Sequence, residues 1–265
     1  MYDLSSSWIA AALLAGMGLA LAIGTRLGLR RSAQATEAQR SHLGAILAAI
    51  LGILALLLGF TFSLALQRHD SRSETLLAEA NALETTAMRA QLLPDRVRAE
   101  TLRELRAYAD LRVQAAVLSL DRHATRQDLA RQTRGQQERL WTLARAAVEI
   151  DARNSTSGHY VVALNEMFDA YGRHQSALSR HVHEVVMALL YATFTLSGLV
   201  LGYASGTAGH RVSPMAWVLV LIVVLLVFLI IDLDRPRRGF IQVDPGSLIE
   251  ARASMVEPAA SSPAR

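Results

Sequence analysis

Histidines and carboxylates are the first residues to test for chemistry, because close sets of them bind metal ions or move protons. The densest set is His181-Val182-His183-Glu184. Residues two apart on a helix point to different faces, so the two histidines do not share one ion. No His-Glu-x-x-His arrangement is present either. No metal site is therefore expected. Asp232 and Asp234 close an apolar run just before Arg235, Arg237 and Arg238. Carboxylates at a helix C-terminus oppose its dipole and need partners. The neighbouring arginines or charges of the polar middle supply them, which makes Asp232, Asp234 and Arg235 a tail-docking element. A divalent-ion clasp is the alternative. Asn165, Asp169 and Arg173 stand at i, i+4 and i+8 and read as a buried, hydrogen-bonded stripe beside Leu164 and Phe168. Arg68, Asp70, Arg72 and Glu74 alternate in sign. They read either as an interfacial stop signal or, through Arg68 and Arg72, as a vestibule that concentrates anions at a pore mouth. No nucleophile elbow, phosphate loop or dinucleotide fingerprint occurs. No enzymatic activity and no cofactor are expected.

The elements that must position these residues are helices. Four apolar runs extend over about 8–24, 43–66, 185–203 and 215–231. Each is near the ~20 residues that a membrane-spanning helix requires. The first and last are short, so tilt or snorkelling at their ends is expected. The second, Leu43 to Leu66, is uncharged throughout and carries Gly52, Gly59 and Ser63 among large apolar residues, with Leu56 and Phe60 one turn apart. Small residues on a membrane helix mark a face that packs closely or lines a path. Gly198, Gly202 and Gly206 in the third run repeat at four-residue spacing, the pattern of a helix-packing seam.

Between the two pairs of runs lies a polar middle, residues 67–184. Its apolar positions recur at i, i+3, i+4 and i+7, as in Leu76, Ala80, Leu83 and again in Leu164, Met167, Phe168, Tyr171. Breaks are expected at Leu93-Pro94-Asp95, across Asp121–Thr125 and across Asn154–Gly158. No loop is needed between Leu66 and Glu74, so the second span continues into the middle. The class is all-α: an integral membrane protein with four transmembrane helices and a helical bundle. The domains are a first transmembrane hairpin (1–66), the bundle (67–184), a second hairpin (185–231) and a tail (232–265) expected to be disordered beyond about 253.

Composition agrees with a bilayer as partner. Of 265 residues, 52% are hydrophobic, and net charge is only +4. The basic residues are too scattered for nucleic-acid binding. Cysteine is absent, which excludes disulfides and thiol chemistry. No basic residue precedes the first apolar run, so that run reads as a retained helix rather than a cleaved signal. Arginines near the spans number five on one side and seven on the other, which places both termini and the bundle in the cytoplasm.

Five blocks in order carry a family resemblance: Leu57-Leu-Gly-Phe-Thr-Phe-Ser-Leu-Ala-Leu-x-Arg68-x-Asp70, Glu79-Ala-Asn-Ala82, Leu92-Leu-Pro94, Leu164-Asn-Glu-Met-Phe-Asp169 and Asp232-Leu-Asp-Arg-Pro-Arg-Arg-Gly239. Over about residues 45–245 the chain resembles the bacterial bestrophin-like membrane proteins, and more distantly the bestrophins, which are pentameric chloride channels. The resemblance implies a multi-pass protein of the bacterial inner membrane and a homo-oligomer passing chloride or another small anion. It places a pore neck at Gly52, Leu56, Gly59, Phe60 and Ser63, with Arg68 and Arg72 at the mouth. In bestrophins an aromatic stands where this chain has Leu56. A non-conducting sensor or scaffold that signals through its bundle stays open beside the channel.

Overall fold

A computed structural model describes residues 6–118, 123–151, 155–180, 183–209, 212–235 and 241–255. Its regular elements are all helical: α1 (Ser6–Arg31), α2 (Glu37–Ala90), α3 (Asp95–Val117), α4 (His123–Ile150), α5 (Ser155–Ser179), α6 (Glu184–Thr207), α7 (Pro214–Asp234) and α8 (Gly246–Ser254), with one 3-10 turn at Ser32–Gln34. Four of them, α1, α2, α6 and α7, are long and apolar enough to cross a membrane.

Local chemistry sets several helix starts. Thr36 and Gln39 form a reciprocal capping box at the start of α2: the Thr36 amide donates to the Gln39 side-chain oxygen (3.1 Å), and the Gln39 amide donates to the Thr36 hydroxyl (3.3 Å). Pro94 is extended and immediately precedes α3, where its missing N–H costs nothing. The Asp151 carboxylate accepts from the Thr156 and Ser157 amides at 3.2 and 3.0 Å, which satisfies orphan donors of the first turn of α5. Ser213 accepts from the Ala216 amide, and Pro214 occupies the first turn of α7.

Two units result. The first comprises residues up to His69 and His181–Ile241. Its core joins Leu54, Leu58 and Ala65 of α2 to Met187, Leu190 and Phe194 of α6 and to Val220, Val224, Val227 and Ile231 of α7. The closest backbone approach of α1 is to α6, not to its chain neighbour α2. The reason is glycine on both sides of the seam. A Cβ at Gly24 would fall on the Leu199 carbonyl, and one at Gly28 on the Tyr203 carbonyl. A Cβ at Gly202 would meet the Leu21 carbonyl, and one at Gly206 the Thr25 carbonyl. Gly198 lies against Met17. Residue numbers rise together along both helices, so the pair runs parallel. The expected seam glycines of the third run therefore have a counterpart, Gly24-x-x-x-Gly28, on the first.

The second unit comprises Asp70–Arg180 and residues from Gln242 onward. Its core is built from Leu76, Ala80 and Leu83 of α2, Leu105 and Tyr108 of α3, Leu140 and Ala144 of α4, and Leu164 and Met167 of α5. Leu248 and Ala251 of α8 enter the same core. Arg252 on α8 donates to Asp110 on α3 at 2.7 Å.

Some readings need correction. The break expected across Asp121–Thr125 is over by His123, where α4 begins; Asp121 and Arg122 lie outside the described residues. Gly158 stands inside α5, not before it. The segment 246–254, read only as part of a tail, is a docked helix. Residues beyond Met255, where disorder was expected, lie outside the described residues. Asn165, Asp169 and Arg173 are exposed rather than a buried stripe. The buried row of α5 is Tyr160, Leu164, Met167, His174 and Ala177, and the three polar residues occupy the opposite side of that helix at about 100° per residue.

The seam makes a sharp contrast in tolerance. Gly202→Leu is expected to cost at least about 1–3 kcal/mol through overpacking. Gly52→Ala, whose Cβ would meet nothing within 4 Å, is expected to be neutral or slightly stabilising. Melting of the detergent-solubilised variants, followed by tryptophan fluorescence, measures both.

Candidate functional site

Helix α2 presents two sides. Leu54, Leu58, Thr61 and Ala65 are buried at i, i+4, i+7 and i+11. Gly52, Leu56, Gly59, Phe60 and Ser63 are all exposed. At about 100° per residue, Gly52, Leu56 and Ser63 fall diametrically opposite the buried row, with Gly59 and Phe60 flanking them. Leu56 is 60% and Phe60 62% exposed. No atom lies within 4 Å of a Cβ built on Gly52 or Gly59. Of the four membrane-length helices, α2 is the least covered, with 11% of its apolar window buried against 28–33% in the others.

The arginines that follow are turned the other way. Arg68 lies 3.6 Å from Asp234 of α7, whose carboxylate is almost fully buried. Arg72 is 1% exposed. Its guanidinium donates to the carbonyls of Ala177 (3.5 Å) and Arg180 (3.0 Å), capping the end of α5. Asp232 accepts from the Ile241 amide at 3.0 Å. Asp232, Asp234 and Arg235 are all buried within the first unit. His183 is exposed just before α6, and His181 lies outside the described residues. Among the described residues, no three His, Asp or Glu side chains converge as a metal site would require.

A polar hub lies inside the second unit. Glu79 of α2 accepts from Arg112 of α3 through both carboxylate oxygens, in part at 3.1 Å. His174 of α5 places Nδ1 2.5 Å from the same carboxylate. The Arg112 guanidinium also stacks 4.7 Å from the Tyr171 ring centre. Burial alone would raise the Glu79 carboxyl pKa; the Arg112 charge and the hydrogen bonds from His174 and Arg112 override it and hold it at about 2. Burial pushes the phenols of Tyr108 and Tyr160 above their ordinary range.

A family model described as the bestrophin-like domain matches residues 11–248. The chain belongs to the bestrophin-like family. The crystal structure of a membrane protein aligns with it at a TM-score of 0.61 and 15% identity, over 90% of this chain and 97% of the other. That likeness speaks for the fold. No curated protein matches the bestrophin-like chain in sequence.

Two groups in this bestrophin-like protein thus stand apart: an outward α2 face and a buried ionic hub. Arg112 and His174 had no role assigned from sequence, and Glu79 entered only as part of a family block. A signal was nevertheless present. Arg112 continues the buried row Val97, Thr101, Leu105 and Tyr108 on α3, and His174 continues the row Leu164, Met167 and Tyr171 on α5. A charge or imidazole on an otherwise apolar face implies a partner on the facing helix.

Arg112→Met leaves the Glu79 carboxylate unpaired in the core and is expected to cost about 3–5 kcal/mol, read by denaturant unfolding of the solubilised protein. A carboxyl depressed from 4.5 to about 2 stabilises the fold fully above 4.5, and that contribution is lost as pH falls toward 2. The wild type should therefore weaken across this acid window, and Glu79→Gln should show a flatter dependence there. The Tyr160 hydroxyl is buried and makes no hydrogen bond with the described residues. Tyr160→Phe should accordingly change stability by less than about 1 kcal/mol, in either direction.

Proposed function

We propose that this bestrophin-like chain is the subunit of a homo-oligomeric ion channel in the bacterial inner membrane, with its path lined by the outward face of α2. The observation that carries the reading is the exposure of Gly52, Leu56, Gly59, Phe60 and Ser63 on the side of α2 opposite its buried row. A leucine and a phenylalanine a turn apart form successive apolar rings when several copies surround one axis. Such a constriction gates by wetting and dewetting. The glycines and Ser63 beside them let neighbouring copies approach closely or leave room for an ion. The arginine distribution near the spans supports a cytoplasmic side for the termini and the helical middle. The likeness to bestrophins names chloride as the first ion to test.

The protein should elute from size exclusion as an oligomer and, in liposomes, discharge an imposed salt gradient. Phe60→Ala removes the wider ring and should raise the flux several-fold over wild type. Flux at the empty-vesicle level for both proteins, across pH and calcium concentration, would exclude the channel.

A further inference from the structure

The end of the first unit where α1 finishes and α2 begins carries cations that the chain does not neutralise. Arg26, Arg30, Arg31 and Arg40 are all exposed there. Residues 22–50 hold one carboxylate, Glu37, and the sequence that joins α6 to α7 holds none. Among the described residues, none of the four arginines stands in an ion pair. At the other end of the same unit, Arg68 lies 3.6 Å from Asp234. The partners of the first group must therefore come from outside the chain.

Two of the four have a definite direction. A Cβ on Gly24 or Gly28 would fall on carbonyls of α6. Arg26 and Arg30 each follow one of these glycines by two residues, about 200° further round the helix, so both point away from α6. Trp8, Leu19, Ile23, Arg26 and Arg30 share one sector of about 60°. Trp8 is 71%, Leu19 63% and Ile23 43% exposed. The side that α1 turns outward is thus an aromatic, an apolar stretch and then two cations one turn apart. At about 1.5 Å per residue, Arg26 stands about 27 Å and Arg30 about 33 Å from Trp8 along the axis. The hydrocarbon core of a bilayer is about 30 Å thick. With Trp8 at one interface, where tryptophan is favoured, the two guanidinium groups bracket the headgroup level of the other. The exposed Leu27 and Leu29 interleave with them, which suits an interface better than open water.

We infer that Arg26 and Arg30 bind the phosphate of an anionic phospholipid, with Arg31 and Arg40 strengthening the positive field around it. Guanidinium groups match phosphate oxygens in geometry as well as charge. A zwitterionic headgroup brings its own amine and leaves the surplus of arginine uncompensated, whereas an anionic headgroup removes it. The apolar residues on the same line of α1 lie where the acyl chains of that lipid would run, a contact that a free anion does not make. Such a site does not depend on whether α2 lines a path.

The experiment is native mass spectrometry of the full-length protein in detergent, titrated with phosphatidylglycerol or with phosphatidylcholine. The wild type should retain phosphatidylglycerol in preference. Arg26→Gln with Arg30→Gln should lower that affinity roughly thirtyfold and leave phosphatidylcholine binding unchanged. Each single substitution should give an intermediate loss, which keeps the test open if the double variant melts early. Arg96→Gln with Arg103→Gln, on the exposed face of α3, should change neither lipid. Equal retention of the two lipids by the wild type overturns the inference, as does an affinity unmoved by the α1 substitutions or lowered equally by the α3 pair. Displacement of phosphatidylglycerol by inorganic phosphate overturns the assignment to lipid.

Discussion

The periodicity of α2 is the constraint on which the other features depend. From Leu54 to its last residue, one row of this 54-residue helix is buried: Leu54, Leu58, Thr61 and Ala65 in the apolar part, then Arg72, Leu76, Glu79, Leu83, Thr86 and Ala90. At 3.6 residues per turn these positions stay within a narrow sector for about ten turns. A helix that commits one side so consistently leaves the opposite side uncommitted just as consistently. Gly52, Leu56, Gly59, Phe60 and Ser63 are therefore exposed because the buried row excludes them, and not through a local peculiarity of the Leu-Gly-Phe sequence. The same row delivers Glu79 to Arg112 and His174, and Arg72 to the end of α5.

Burying Glu79, Arg112 and His174 is costly in isolation. Removing a carboxylate and a guanidinium from water costs several kcal/mol per ion, and a hydrophobic replacement of similar volume is often as stable. What the hub supplies is geometry. A carboxylate held through both of its oxygens by a guanidinium from α3, and by an imidazole from α5, fixes the rotation of three helices in a core otherwise rich in alanine and leucine, which interlock with less direction. Thr86 adds to this, its hydroxyl donating to the Ala163 carbonyl of α5 at 3.0 Å. The parallel pair α1 and α6 is fixed by a different device. There, missing side chains bring backbones together, and carbonyls of one helix occupy the space of absent Cβ atoms on the other.

These two devices differ in how well the sequence announces them. The all-helical class, the membrane-length runs and the glycine repeat of α6 were legible because long apolar runs and four-residue spacing are strong local signals. The partner repeat Gly24-x-x-x-Gly28 was present but lay at the end of a run read as stopping at Gly24, since Arg26, Arg30 and Arg31 lower its apolarity. Long arginine stems carry such charges outward from a helix end, so α1 continues to Arg31. The hub was hidden for another reason. Its members are 33 and 95 residues apart, and only the packing of α2, α3 and α5 brings them within hydrogen-bond distance. The short helix α8 went unread because nine residues give too few turns for a periodic pattern.

The arginines beyond Phe60 show where reading by proximity fails. Arg68 stands eight residues beyond Phe60, and closeness along the chain suggested a shared aqueous mouth. On a helix the relevant coordinate is phase. Five residues separate Ser63 from Arg68, nearly one and a half turns, which places them on opposing sides. Seven residues separate Ser63 from Asp70, nearly two full turns, which restores the original side. An alternating run of arginine and acid therefore divides cleanly: its cations face the protein and its carboxylates face away. The alternation that reads from sequence as a neutral interfacial stop is, once wound into α2, a separation of charge across the helix.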